Sequence, residues 1–419
     1  MKKVCLTGSF LGMLLFHSCS KHGSSVSAPK VTTLAVTNIT DSSATGGGNI
    51  TSNGGSAITG SGLMWDTTTK FSSPHLAENT TGANNFTLSI TDLPQGTTWY
   101  VRAYAANPGD SGFGSTMTFT TDTVPSDYIV STYAGNGATD SINGPALTAS
   151  FLGPTSVVVD PAGNVFVGEG SLIVGHIRHI GTDGNVTGFA ATKTAVSDII
   201  MDHTGNLYAV DNSSLLYKIT PAGVTSIFAG SGAAATTDGQ GTAASFTQPV
   251  SIDIDPAGNL YITDRKNIRK VTPAGYVSTL PVTANSFFEG IAVDQSQNIY
   301  VADGSQILKI DASNNVTFIA GSKGSADGTG SAAGFADVTE LRLDKNGNLI
   351  AADPSNRKVR SITLAGVVTT VAGNGQSGST DGSGSKATFS APVGLSIDAS
   401  GNIFVADIGS NKIRMIRHK

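Results

Sequence analysis

"DPAGNLYITD", residues 255–264, compresses a turn, a β-branched and aromatic run and a carboxylate at each end into ten positions. Closely spaced Asp, Gly and Asn suit a hard-cation loop, and they suit a tight turn equally well. Working outward decides between them, because the decapeptide recurs: "DPAGNVFVGE" from Asp160, "DHTGNLYAVD" from Asp202, "DQSQNIYVAD" from Asp294, "DKNGNLIAAD" from Asp344 and "DASGNIFVAD" from Asp398. The middle positions vary among Pro, His, Gln, Lys and Ala, none of which a calcium loop requires. A hairpin is therefore expected, with the leading Asp closing one strand and Gly-Asn turning the chain into the next.

Each copy follows an apolar run such as "VSIDI" and precedes a basic-apolar run such as "NIRKVT" and then a run such as "AGYVSTL". Four strands per unit at this period mean a repeat architecture. The pattern resembles the NHL repeat family, whose units are four-stranded blades of a β-propeller, and the resemblance covers residues 128–419. It implies six blades. "YIVSTYAGNG" from Tyr128 is a fourth-strand motif with no blade before it, and "NKIRMIRHK" at the other end is a third strand with no fourth after it. Residues 130–134 are expected to pair with residues 413–416, removing two sheet edges.

Composition agrees with an all-β chain: 51 glycines in 419 residues, with charged residues at only 13%, favour many short strands joined by turns. The net charge of −5 carries no clustered Lys/Arg stripe. Counterion release, the main source of nucleic-acid affinity, thus has no evident origin, and no nucleic-acid partner is expected.

Lys2 and Lys3 followed by an apolar stretch to Phe16 read as an export signal too short to span a bilayer. The "FHSC" stretch, residues 16–19, resembles a bacterial lipobox, with Phe16 and His17 departing from its usual residues. The resemblance implies a signal peptide over residues 1–18, lipidation of Cys19 and attachment by acyl chains alone. Ser20 after the cysteine favours an outer-membrane lipoprotein, in the cell envelope and open to surface exposure. Ordinary signal cleavage is the alternative.

After a Ser-rich tether over residues 19–28, residues 29–122 alternate in short strands. "LPQGTTWYVRAYAAN", residues 93–107, resembles the sixth strand of a fibronectin type III domain, an immunoglobulin-like sandwich. Trp99, Val101, Ala103 and Ala105 should face the core, with Tyr100, Arg102 and Tyr104 outward. Trp99 stands where that family has its corner tyrosine. "GDSG", residues 109–112, matches a serine-protease motif by letters but falls in an expected hairpin with no His and Asp partners. "GQGTAA", residues 239–244, likewise follows no strand–helix crossover.

Four connections between units are long and alike, beginning at Ala134, Ala229, Ala320 and Ala372, and two, near Ala190 and Pro281, are short. They should lie on one face with the turns between second and third strands. The trailing carboxylates Glu169, Asp211, Asp264, Asp303, Asp353 and Asp407 end the second strands. They can cap turn amides or pair with Arg269, Lys309, Arg360 or Arg414, or form an acidic ring. Phe151, Phe246, Phe335 and Phe389 recur in the long loops, as plugs or as a sugar-stacking platform. Ligand-binding candidates on this face are Arg265, Asn356, Arg357 and Asn411 with Asp264, Asp303, Asp353 and Asp407.

Some propellers of the NHL type are lyases or lactonases with a metal or a catalytic His near the axis. His176, His179, His203 and His418 neither repeat nor form a ligand spacing, and no nucleophile–base set emerges, so no metal, cofactor or catalytic residue is expected. The expectation is a monomeric binding or scaffold protein for a glycan or protein ligand; the alternative is a propeller lyase or lactonase with an axial site.

Overall fold

The computed structural model of the chain describes residues 26–40, 43–94, 96–121, 128–171 and 173–419. The expected signal segment, Cys19 and the expected tether up to residue 25 lie outside the described residues. Helix among the described residues is confined to three single 3-10 turns, none long and apolar enough to cross a membrane. The chain divides into two compact units.

The smaller unit holds two antiparallel sheets. One contains Lys30–Thr33, Ala44–Ser52 and Asn85–Ile90. The other is built on Gly60–Asp66 and Thr98–Ala106, with His75–Glu78, Ser111–Phe113 and Met117–Thr120 at its margins. Alternation along Thr98–Ala106 is as expected: Trp99, Val101, Ala103 and Ala105 are buried, while Tyr100, Arg102 and Tyr104 are half-buried. Arg102 lies 4.3 Å from the Phe71 ring and 4.2 Å from that of Phe113, so the outward face is covered by cation–π contacts. The indole N–H of Trp99 is buried without a hydrogen-bond partner, so the corner hydrogen bond is absent. Residues 109–112 sit at a hairpin between Thr98–Ala106 and Ser111–Phe113, as their turn-forming composition suggested.

The larger unit is a β-propeller of six antiparallel sheets among the described residues. Their innermost strands are Ser156–Val159, Val196–Met201, Pro249–Ile254, Phe288–Val293, Glu340–Leu343 and Pro392–Ile397, which define sheets 1 to 6. These strands touch one another in cyclic order, the sixth meeting the first. The ring closes through the chain ends: Tyr128–Ala134 is the outer strand beside Lys412–His418, with Ile413 opposite Ala134 and Ile416 opposite Val130.

The recurring decapeptide is a hairpin for a reason local to each copy. In residues 255–264, Asp255 Oδ1 accepts the backbone N–H groups of Ala257 and Asn259, and Oδ2 accepts the Asn259 side-chain amide at 2.8 Å. Asp160, Asp202, Asp294, Asp344 and Asp398 repeat this clasp. The carboxylate oxygens that a cation would need are occupied by the turn itself. Apolar residues of consecutive sheets pack into shared layers, for example Tyr300, Ile307 and Phe335 with Leu341, Leu349 and Ile362 between sheets 4 and 5.

Candidate functional site

The second-strand carboxylates point into the loop face and are consumed there. Asp264 accepts the N–H groups of Thr247 and Gln248, Asp303 those of Asn285 and Ser286, Asp353 that of Ala336, and Asp407 those of Ser390 and Ala391. All four are buried. The reading of Asp264, Asp303, Asp353 and Asp407 as ligand-binding groups gives way to an anchoring role: each carboxylate fixes the connection that arrives above it, so no exposed acidic ring forms.

Where the connection is long, a completely buried arginine completes the anchor. Arg269 joins Asp264 at 3.2 Å to the loop residue Asp238 at 3.0 Å, and Arg360 joins Asp353 at 3.2 Å to Asp327 at 2.7 Å. Arg414 sits 3.7 Å from Asp407 and 2.6 Å from Asp381. In sheet 1, Arg178 meets Glu169 at 2.9 Å and donates to the side-chain Oδ1 of Asn143 at 2.7 Å. Each guanidinium carbon also stands 5.2 to 5.5 Å from the ring centre of Phe151, Phe246, Phe335 or Phe389, none of which has any exposed surface. These phenylalanines are plugs and leave no aromatic platform. A desolvated guanidinium needs all these partners, and its planar fork can reach them together.

Sheets 2 and 4, entered by short connections, carry Tyr217 and Leu308 at the arginine position. Tyr217 donates its hydroxyl to Asp211 at 3.1 Å. Lys309, expected to pair with Asp303, instead lies opposite Thr317 with its ammonium 5.9 Å from the Tyr300 ring, one residue out of the arginine register.

The remaining candidates divide into two kinds. The Asn356 amide donates to Gly324 O and Asp353, and that of Asn411 to Thr139 Oγ1 and Gly137 O, so both brace loops. Arg357 reaches Gly375 O only at 3.5 Å, and its Nε is buried without a partner. Arg265 is exposed, with its guanidinium 5.5 Å from the ring of Phe287, itself 50% exposed on the neighbouring short connection. Arg265, Arg357 and Asn411 have φ of 55°, 56° and 53°, the left-handed conformation that these turns demand. Phe287 has no counterpart in the repeat and was not singled out by the sequence.

A second constellation closes the axis. Four residues before each hairpin aspartate stand Ser156, Asp198, Ser251, Gly290, Glu340 and Gly394, one on each innermost strand. Ser156 donates to Asp198 Oδ1 at 2.5 Å, and the Ser251 hydroxyl lies 3.2 Å from Asp198 and 3.3 Å from Glu340. Arg342 spans the ring, bonded to Glu340 and 3.3 Å from Asp198 Oδ2. At Gly290 a Cβ would come within 2.8 Å of the Glu340 backbone, so the strands approach too closely for any side chain there. Three carboxyls, with Asp253, face one guanidinium. Burial pushes the Asp253 carboxyl up to about 6 and holds that of Glu340 well above the usual carboxylate range, against the pull of Arg342. None of the four propeller histidines belongs to this cluster: His179 lies against Phe166 and Phe189, and His418 against Tyr128. His176 is 4.0 Å from Glu169, and His203 borders a hairpin-face cavity of about 420 Å³.

No protein-family model matches the chain. It is 25% identical over 370 residues to teneurin-4 of Mus musculus and 28% identical over 364 residues to teneurin-3 of Danio rerio, matches that take in 69% of this chain. The chain spans 13% of the length of these curated relatives. Among solved structures, an auxiliary nutrient binding protein from Bacteroides ovatus superposes with a TM-score of 0.58 at 18% identity, covering 94% of this chain and 98% of that one. A protein of unknown function from Bacteroides thetaiotaomicron gives the same TM-score at 19% identity and the same coverage. A candidate gluconolactonase reaches 0.50 at 14% identity over 70% of this chain and 93% of its own. The similarity is one of fold, the β-propeller.

Proposed function

We propose that the chain is a cell-envelope binding protein whose propeller recognises a glycan or protein ligand on the loop face. The observation that carries this reading is the pairing of rigid and open groups on that face. Four buried arginine clamps hold the long loops still, which lowers the entropy lost on binding, while the Arg265 guanidinium and the Phe287 ring stay accessible beside them. An exposed aromatic next to a cation suits stacking on a sugar ring or an apolar side chain together with a charge-assisted hydrogen bond. Arg357 completes the candidate set. Modest affinity, micromolar or weaker, is expected from so small an apolar area. Arg265→Ala should weaken retention of the chain by an immobilised ligand polymer without unfolding it.

The Lys2–Lys3 and apolar pattern with Cys19 supports attachment by lipid at the outer membrane, with the fibronectin-like unit acting as a spacer and the propeller being of the NHL type. Cys19→Ala should release the protein from the membrane fraction and abolish palmitate labelling; a variant that stays bound contradicts lipidation.

One observation favours a second reading. Glu340, Asp253, Asp198 and Arg342 form an acid cluster at the axis in which desolvation raises the proton affinity of Asp253 and Glu340, a property shared with enzyme acid–base sites. Turnover of a lactone that is lost in Glu340→Gln would support a lactonase or lyase over a binding protein.

A further inference from the structure

The long loops also cover sheet edges. Each sends a two-residue strand along the outside of the sheet it enters: Gly144–Pro145 beside Asn185 and Val186, Gly239–Gln240 beside Tyr276 and Val277, Gly328–Thr329 beside Val367 and Val368, and Gly382–Ser383 beside Ile129 and Val130. Sheets 1, 3, 5 and 6 therefore have a fifth strand, whereas sheets 2 and 4 end at Thr225–Ala229 and Val316–Ala320.

The difference shows at one register position. Val186, Val277, Val368 and Val130 pair with Ile180, Val271, Ile362 and Ile416 of their third strands and are at most 1% exposed. Val316, paired with Ile310 in the same register of sheet 4, is 48% exposed. Two residues on, Thr279 and Thr370 give both N–H and hydroxyl to the loop aspartates Asp238 and Asp327. Sheet 4 has Phe318 there, 43% exposed, and its short connection, residues 280–287, contains no aspartate. Natural edges are usually blunted by charge, proline or cover, and this one carries two apolar side chains on one side of a strand that no further strand pairs, its last residues alone lying against the Gly366 hairpin of sheet 5.

We propose that the open edge at Val316–Phe318 is a β-augmentation site, which takes up an antiparallel extended segment of a partner protein carrying apolar residues at alternate positions. Main-chain hydrogen bonds would supply affinity, and Val316 and Phe318 the side-chain selectivity. The four covered edges show that a single antiparallel strand fits this geometry. A second copy of the chain is a poorer occupant, since an edge within a single five-residue strand falls well short of the roughly 1,000 Å² that a stable dimer buries. Sheet 2 offers less: its position matching Val316 is Thr225, leaving Ile227 as a single apolar anchor. This site is separate from the loop face and does not depend on what that face binds.

The test is a fluorescence-anisotropy titration of a labelled short peptide of alternating threonine and valine, flanked by lysines, with the full chain. Saturable binding in the range of about 10 to 500 µM is expected, weakened about tenfold or more by Val316→Lys and by Phe318→Lys. Both substitutions fall on exposed positions, so circular dichroism should confirm an unchanged fold, and Tyr276→Lys on a covered strand should bind like the parent chain. Equal binding by the two edge variants, or no saturation at about 1 mM peptide, would overturn the proposal. So would a dimer in sedimentation that Val316→Lys dissociates, because the edge would then belong to a second copy.

Discussion

Arg360 holds its guanidinium carbon 5.2 Å from the ring centre of Phe335, and neither side chain has any exposed surface. The same guanidinium meets Asp353 on the second strand and Asp327 in the loop, and donates to Gly334 O and Ala326 O. One cation thus ties a loop segment, a plug and a strand end together. Its net contribution is set by its partners, since a buried charge is costly when any of them is removed.

Arg360→Met should accordingly leave Asp353 buried without a counter-charge and cost about 3–5 kcal/mol. A fall in melting temperature on the order of 10 °C is expected for a domain of this size, measured by calorimetry. Arg360→Lys should rescue little, because an ammonium lacks the planar fork that serves both carboxylates. Loop residues 320–338 should become the first site of proteolysis in Arg360→Met.

Asp253 yields a pH dependence with a definite sign. Burial raises its folded pKa to about 6 from an ordinary value of 3.8, so between these values the folded state binds the extra proton. Stability from this group is therefore greatest at low pH and falls as pH rises through about 6. Asp253→Asn keeps an acceptor for the Val293 N–H and removes the ionising group. Its melting temperature should exceed that of the parent chain at pH 8, with the gap closing by about pH 4. An equal gap at both pH values would show that the effect is not ionic.

Deleting residues 128–134 should open the Lys412–His418 edge and expose the layer that Val130 shares with Val371 and Phe389. A markedly lower melting temperature and concentration-dependent aggregation are expected, by scanning calorimetry and light scattering. A deletion variant that melts like the parent chain would show that the terminal strand contributes little to closure.

The hairpins were legible because their chemistry is short-range: Asp255 caps its own turn two and four residues on, and six copies repeat the pattern. Terminal closure was legible from unmatched runs, and the Arg269, Arg360 and Arg414 clamps from alternation within one blade. Their other halves were not, because Asp238, Asp327 and Asp381 lie more than thirty residues from the arginines they meet, in Gly- and Ser-rich loops where one Asp resembles another. The axial cluster was hidden for a related reason. Its column reads Ser, Asp, Ser, Gly, Glu, Gly, and only aligning the six copies on their hairpin aspartates brings Asp198 to Glu340, 142 residues apart in the chain. Phe287 is invisible to any repeat logic, being a feature of one short connection.

The loop face is tested most directly by native gel electrophoresis of the full chain through a panel of soluble polysaccharides, starch, xylan, pectin and mucin glycans, comparing the parent chain with Arg265→Ala and Phe287→Ala. Retardation of the parent chain by at least one polymer is expected, reduced about fivefold or more in both variants, with unchanged melting temperatures because both positions are exposed. A polymer that retards all three proteins equally, or is hydrolysed by the parent chain but not by Glu340→Gln, would contradict recognition at Arg265 and Phe287.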